Sequence, residues 1–323
     1  MTLPRDASQP HFDRRSIPAG AREGVWRAAD GHAIRRIDWP APEGPPRGSV
    51  LFFGGRGDAY EKYLETFEHW RGQGWQVTAA DWRGQAGSGR LGLDDRTGHI
   101  DDFSTWVADL AALWRDWKAE TPGPHVLAGH SMGGHLVLRA LAEGKVDPVA
   151  AVLSAPMLGF LPDRVPLGLL QAAAKLMCKI GDRRRLAWKW SEKPGQLPEG
   201  RIALLTHDEA RYADEVWWRE ARPALAMGPG SWGWVERAYA SMRLLARPGA
   251  LERIATPVFI VATTADRLVA YGAIARAAKR LPNAELLTLG DEARHEVLRE
   301  ADAVRNRVLG AIDAFLDRAA PAQ

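Results

Sequence analysis

The stretch "HVLAGHSMGGHLVLRA" (125–140) begins as an unbroken apolar run, bends at a glycine-rich corner and continues as an apolar run at helical spacing. Ser131 stands at the corner, and Gly129-His130-Ser131-Met132-Gly133 fits G-x-S-x-G with a strand before it and a helix after it. A serine held in strained backbone at such a corner crowds the residues two places away on either side, which explains glycine at both. The helix beginning at Met132 then aims its unpaired N–H groups at the serine. A plain glycine turn is the alternative reading; the strand and helix around it favour a nucleophile.

Outward from the corner, the chain alternates. Apolar runs at "SVLFFGG", "WQVTAAD" (75–81), "HVLAGH" (125–130) and "VAAVLSAP" (149–156) suit strands buried on both faces of a parallel sheet. Between them, residues 60–71, 102–120 and 132–143 carry helical periodicity. The alternation lapses after Pro156 and resumes at "TPVFIVATTADRLV" (256–269), with a further strand at "AELLTLG" and a closing helix over 301–318. This order predicts an α/β fold with a mostly parallel, doubly wound sheet. Its parts are an N-terminal extension (1–20), a core (21–156 and 254–323) and a helical lid insertion (157–253), placed at the carboxyl edge where open sheets bind ligands.

A nucleophilic serine needs a base, and the base an orienting acid, in the chain order Ser, Asp or Glu, His. His295 alone among the nine histidines lies beyond both the Ser131 helix and the insertion. Asp266 follows the strand "PVFIVAT" and so sits at a carboxyl strand end; Asp291 competes, four residues before His295. A buried acid fixed by a separate strand favours Asp266. Two backbone N–H groups should face the developing oxyanion. Met132 follows the nucleophile, and Arg56 lies in the loop "GGRGDAYEKY", where glycines allow close approach. The same loop fails as a dinucleotide motif because Tyr60 stands where the last glycine belongs. Asp81 and Arg83 read as structural braces, and His99 as a satisfied structural histidine.

Composition narrows the partners. The net charge of +3 and the lack of Lys/Arg runs interleaved with aromatics argue against nucleic acid. One cysteine, Cys178, and no Cys/His spacing give no reason to expect a disulfide, metal or cofactor. No apolar run reaches the ~18 residues of a membrane span, and the first residues lack a signal-peptide pattern, so a cytoplasmic protein is expected. Within 157–253, Lys and Arg outnumber Asp and Glu. A basic group (Lys175, Lys179, Arg183, Arg184, Arg185, Lys189) borders the apolar run "LGLLQAAAKLMCKI", a pairing that can rest at a lipid interface, including the inner face of a membrane. Six of the fourteen tryptophans (Trp188, Trp190, Trp217, Trp218, Trp232, Trp234) crowd the same insertion; they can line an apolar channel, and some of them are expected instead only to pack the insertion onto the core.

Taken with "DWRGQAGSGRLG", "GHIDDFSTWVADL", "GHSMGG", "LSAPMLG", "LTHDEARY", "ADRLV" and "ARHEVLRE", the chain resembles α/β-hydrolases of the monoglyceride lipase and lysophospholipase group, nearest to its bacterial lysophospholipases. The resemblance implies an α/β-hydrolase fold, a Ser131, Asp266, His295 triad, an oxyanion hole at Arg56 and Met132, and cofactor-free hydrolysis of the ester of a single-acyl lipid. One departure is the oxyanion loop, where Gly54-Gly55 replaces the group's usual His-Gly. A general carboxylesterase, a serine aminopeptidase-like hydrolase and a silent hydrolase-fold binding module are the rival readings.

Overall fold

Continuous apolar runs become central strands because both faces of the sheet are covered. The computed structural model describes residues 12–42, 44–189 and 199–322. In chain order these form β1 (Arg22–Arg27), β2 (Ala33–Trp39), β3 (Gly48–Phe53), α1 (Leu64–Gly72), β4 (Trp75–Ala80), α2 (Phe103–Glu120), β5 (His125–His130), α3 (Met132–Ala142) and β6 (Ala150–Ser154). There follow α4 (Leu167–Lys179), α5 (Glu199–Leu205), α6 (Glu209–Ala221), α7 (Trp232–Ala246), β7 (Val258–Thr263), α8 (Tyr271–Arg280), β8 (Ala284–Leu289) and α9 (Asp302–Ala319).

The strands make one sheet in the order β1-β2-β4-β3-β5-β6-β7-β8. β1 and β2 pair antiparallel, as do β2 and β4; every other neighbour pair is parallel. β5 lies at the centre, so the corner that follows it projects from the middle of the carboxyl edge. This is the place where open α/β sheets build ligand sites.

Alternate residues of β3 divide the core: Leu51 and Phe53 join one apolar layer, Val50 and Phe52 the other. On the first side α2 lays down Phe103, Trp106, Val107, Leu110, Leu113, Trp114 and Trp117, spaced three and four residues apart along one helix face. Its start is fixed by Asp102, whose side chain accepts from Ser104 N at 2.7 Å. On the other side Phe52 meets Tyr63, Phe67 and Trp70 at ring separations of 4.7–6.0 Å, and α9 closes the layer with Leu309, Ile312 and Phe315.

One detail departs from the sequence reading. The helix expected over 60–71 starts as a tight 3₁₀ turn, Tyr60–Tyr63, before α1. In the described part of the N-terminal extension, Arg14 and Arg15 both bind the Asp214 carboxylate on α6, at 2.5 and 2.6 Å. Between β6 and β7 the chain leaves the sheet entirely and builds α4 to α7 over its carboxyl edge.

Candidate active site

Ser131 turns the chain from β5 into α3 with φ 52° and ψ −115°, a region that costs side-chain-bearing residues on the order of 1–3 kcal/mol. Main-chain bonds hold it there. Ser131 N–H donates to Ser154 O at the end of β6 (2.8 Å), and Ser131 O accepts from Met157 N (2.9 Å) and His135 N (3.0 Å). A Cβ on Gly129 would lie 2.7 Å from the Gly133–Gly134 peptide, and one on Gly133 would lie 2.4 Å from Phe53 O. The two glycines of the motif are therefore required by backbone crossing backbone.

The three residues proposed as a triad come together from three strand ends. Ser131 Oγ–H donates to His295 Nε2 at 2.9 Å, and His295 Nδ1–H donates to Asp266 Oδ2 at 2.7 Å. The other carboxylate oxygen accepts from Leu268 N (2.8 Å) and Val269 N (3.0 Å), which points Oδ2 at the ring. Asp291 is exposed on the loop after β8, and both ring nitrogens of His295 are already engaged by Asp266 and Ser131. Burial disfavours the imidazolium, but Asp266, aided by Glu296 and Asp58, outweighs it and raises the His295 pKa above 6.5. Burial likewise opposes the Asp266 carboxylate, and His295 with the two amides more than offsets it.

Met132 opens α3, and the ladder begins with His135 N on Ser131 O, so the Met132 amide precedes the first intrahelical bond. In the facing loop Gly55 N–H is committed to Asp58 Oδ2 at 2.7 Å. The next amide along the loop is that of Arg56, the residue expected to face the oxyanion, and Arg56 lines the same cavity as Ser131.

That cavity holds about 360 Å³, with walls that include Met157, Phe160, Leu205, Trp234, Tyr239 and Val269. Of the clustered tryptophans, only Trp188 and Trp234 line it among those described; Trp190 lies outside the described residues. The Arg56 guanidinium sits over both rings, at 5.0 and 5.6 Å, and donates to Gly228 O. Trp218 instead packs in the opposite core layer and donates to Arg14 O, with Trp217 against it. Trp232 stacks near Arg185. A cluster in sequence thus disperses in space, because successive helices of the insertion face different ways.

The residues read as structural are so placed. Asp81 accepts from Arg35 Nε, Tyr60 N and Gly87 N, and Arg83 is bound by Asp109 and Asp30. His99 Nδ1 accepts from Ser231 Oγ at 2.6 Å, joining the loop before α2 to the start of α7. His130, 4.8 Å from the His295 ring, is pushed down to about 4, chiefly by burial and then by His295, and stays uncharged.

Sequence reasoning missed a buried charge cluster beneath the site. Lys62 Nζ contacts Asp58 Oδ1 (2.6 Å), Glu296 Oε1 (2.6 Å) and Glu215 Oε2 (3.1 Å). Asp58 in turn takes Gly55 N–H and Tyr63 Oη–H, while Glu215 and Glu296 share Arg299. One ammonium therefore ties the loop that carries Gly55 and Arg56, the residue after His295 and α6 of the insertion. The signal was the acid-base spacing Asp58–Lys62 beside the glycines and Glu296 beside His295.

Residues 44–302 match the family described as "Serine aminopeptidase, S33". The chain belongs to this hydrolase family. Among its relatives, lysophospholipase L2 of Escherichia coli K12 is 30% identical over 286 residues, 83% of this chain and 80% of that protein. Monoacylglycerol lipase of Mycolicibacterium smegmatis is 30% identical over 141 residues, 43% of this chain and 48% of the relative. In three dimensions the chain resembles a soluble variant of Saccharomyces cerevisiae monoglyceride lipase in complex with a substrate analog, with TM-score 0.74, 20% identity and coverage of 97% and 99%. A carboxyl esterase from Bacillus coagulans in complex with glycerol gives 0.70 at 16% identity, covering 93% of this chain and 99% of that one. These likenesses place the family member in the α/β-hydrolase fold.

Lys62→Met leaves Asp58, Glu215 and Glu296 buried around an apolar side chain. We expect urea unfolding to give a loss of ~3–5 kcal/mol, the usual cost of removing one partner from a buried ion cluster; a change within about 1 kcal/mol, as for an exposed pair, would refute the cluster's structural role.

Proposed function

We propose that this protein hydrolyses the carboxylic ester of a single-acyl lipid, a lysophospholipid or monoacylglycerol, through an acyl-enzyme on Ser131. The observation that carries the reading is the Ser131–His295–Asp266 hydrogen-bond chain opening onto an apolar cavity. His295 Nε2 takes the Ser131 proton as Oγ bonds to the acyl carbon, and the carbonyl electron pair moves onto oxygen between the Met132 and Arg56 amides. That pair returns as the C–O bond to the alcohol breaks, and His295 gives its proton to the departing alkoxide. Water then repeats the sequence, releasing the fatty acid and restoring the serine. Asp266 keeps Nδ1 protonated and stabilises the imidazolium.

The substrate class rests on the cavity and on the kinship with a lysophospholipase and a monoacylglycerol lipase. The insertion, 157–253, acts as a lid whose Trp188, Leu205, Trp234 and Tyr239 enclose one acyl chain. A second chain would have to remain in water, at about 0.8 kcal/mol for each methylene left unburied.

The lid also provides the lipid contact. Leu169, Leu176 and Ile180 are more than half exposed along one face of α4, with Lys175 and Lys179 alongside, the composition of an interfacial helix. The contact proposed is peripheral; no helix among the described residues is long and apolar enough to cross a membrane.

Ser131→Ala should lose on the order of 10⁴-fold or more in ester hydrolysis, and Asp266→Asn about 10⁴-fold, while Asp291→Asn stays near wild type. The neutral imidazole is the active form, so kcat/KM rises with pH through a limb centred above 6.5, the ordinary histidine value. Removing the carboxylate moves that limb down. A larger loss in Asp291→Asn than in Asp266→Asn would reverse the acid assignment.

Fatty acid release under matched micellar conditions should be faster from lysophosphatidylethanolamine or monoacylglycerol than from phosphatidylethanolamine. Equal or faster release from the diacyl lipid rejects the single-chain slot, and preference for short water-soluble esters favours a general carboxylesterase.

Vesicle sedimentation should show binding that grows with anionic lipid and weakens with salt, and that is lost in Leu176→Asp/Ile180→Asp. Unaltered binding by that variant would remove α4 from the interface.

A further inference from the structure

Helix α7 divides two cavities. Trp234, Val235 and Tyr239 face the ester site, whereas Arg237, Ala240, Ser241, Leu244 and Arg247, three and four residues apart, line a separate crevice of about 400 Å³. Its other walls come from the first turn of α2, from Arg139 on α3 and from Lys175 on α4. The lining is mainly polar and cationic: Arg139, Lys175, Arg237, Arg243 and Arg247 surround it, against one lining carboxylate, Asp102.

Local pairing does not exhaust this charge. Arg139 Nε binds Glu143 at 2.6 Å and its Nη1 donates to Ser241 Oγ at 3.1 Å. Arg237 binds Glu236 and lies 3.7 Å from Asp102. Arg243 donates to the neutral amide oxygen of Gln171, which is itself buried and fixed by Glu236. Among the described residues, Lys175, Arg243 and Arg247 have no carboxylate within ion-pair distance. Counting Glu143 and Glu236 with Asp102, the crevice keeps two formal positive charges. Lys175, Arg243 and Arg247 are exposed at the rim of the crevice, whereas Arg139 and Ser241 are buried in its wall.

We propose that this crevice is a second ligand site, distinct from the ester cavity, that takes a phosphate group. A phosphate monoester carries about −1.5 to −2 charges at neutral pH with three acceptor oxygens, which matches both the residual charge and the donors on offer. Guanidinium forks favour that geometry, and a cleft lined by one sign of charge concentrates the anion. The phosphate belongs either to a lipid headgroup or to free inorganic phosphate. In either case it sits against the helix whose opposite face lines the ester cavity.

The test measures binding to the Ser131→Ala protein, so its outcome does not depend on ester hydrolysis. Inorganic phosphate is titrated calorimetrically at fixed ionic strength into the parent protein, into Arg243→Gln/Arg247→Gln, and into Arg253→Gln/Lys279→Gln, which loses equal charge from exposed positions outside the crevice and outside α4. We expect saturable binding, weakened about tenfold in the first double variant, the effect of losing charge-assisted hydrogen bonds, and retained in the second. Phosphatidylcholine vesicles carrying phosphatidic acid, or phosphatidylserine at matched surface charge, form the other arm. Stronger binding to phosphatidic acid that Arg243→Gln/Arg247→Gln abolishes assigns the site to a lipid phosphate; phosphate binding without that preference assigns it to the free ion. Lys175→Gln, on a different helix, should weaken whichever probe binds. Saturation by neither probe, or equal weakening in both double variants, overturns the site.

Discussion

The arrangement depends on one strained residue. Ser131 can hold positive φ because the neighbouring strand end grips it from both directions: its N–H is taken by Ser154 and its carbonyl by Met157. The chain at Ala155, with φ 43°, bends in the same unusual sense. Two adjacent parallel strands thus break together, and each break satisfies hydrogen-bonding groups that the other exposes. The corner is consequently a property of the β5–β6 pair, and the serine, the first turn of α3 and the start of the insertion at Met157 are placed by the same few bonds.

Around that corner, local signals are readable from sequence and distant ones are not. Gly129 and Gly133 announce a tight backbone crossing around Ser131, and Asp266 announces a strand end, so the places of Ser131, Asp266 and His295 were legible. The same physics separates Asp266 from Asp291: a carboxylate on an exposed loop has no amides to orient it, whereas Asp266 is turned by Leu268 and Val269. The tryptophans mislead because their closeness in sequence spans several helices with different facing directions. Trp188 and Trp234 reach the cavity, and Trp218 ends in the opposite apolar layer, bonded to the N-terminal segment.

The Lys62 cluster was hidden for a related reason. Its carboxylates come from three widely separated parts of the chain, and each reads in isolation as an ordinary surface charge. Only the tertiary structure reveals that they share one buried cluster, where burial opposes the ammonium and the three acids more than compensate. The crevice behind α7 is the contrasting case, a gathering of cations whose local acids fall short of matching them.

The insertion is fastened to the core unevenly. α6 is riveted by Arg211 to Glu65 and Asp302, by Glu215 to Lys62 and Arg299, and by Asp214 to Arg14 and Arg15. α7 sinks Trp234, Ala238 and Met242 into the main apolar layer. α4 buries only Gln171 and Ala174, and rests on α7. Mechanically, then, the insertion has a frame and a loose outer leaf. Local opening free energy follows the contacts that must be broken, so α4, which borders the crevice behind α7 and not the Ser131 cavity, can part from the fold at less cost than α6 or α7, and its parting leaves the ion pairs around Lys62 closed.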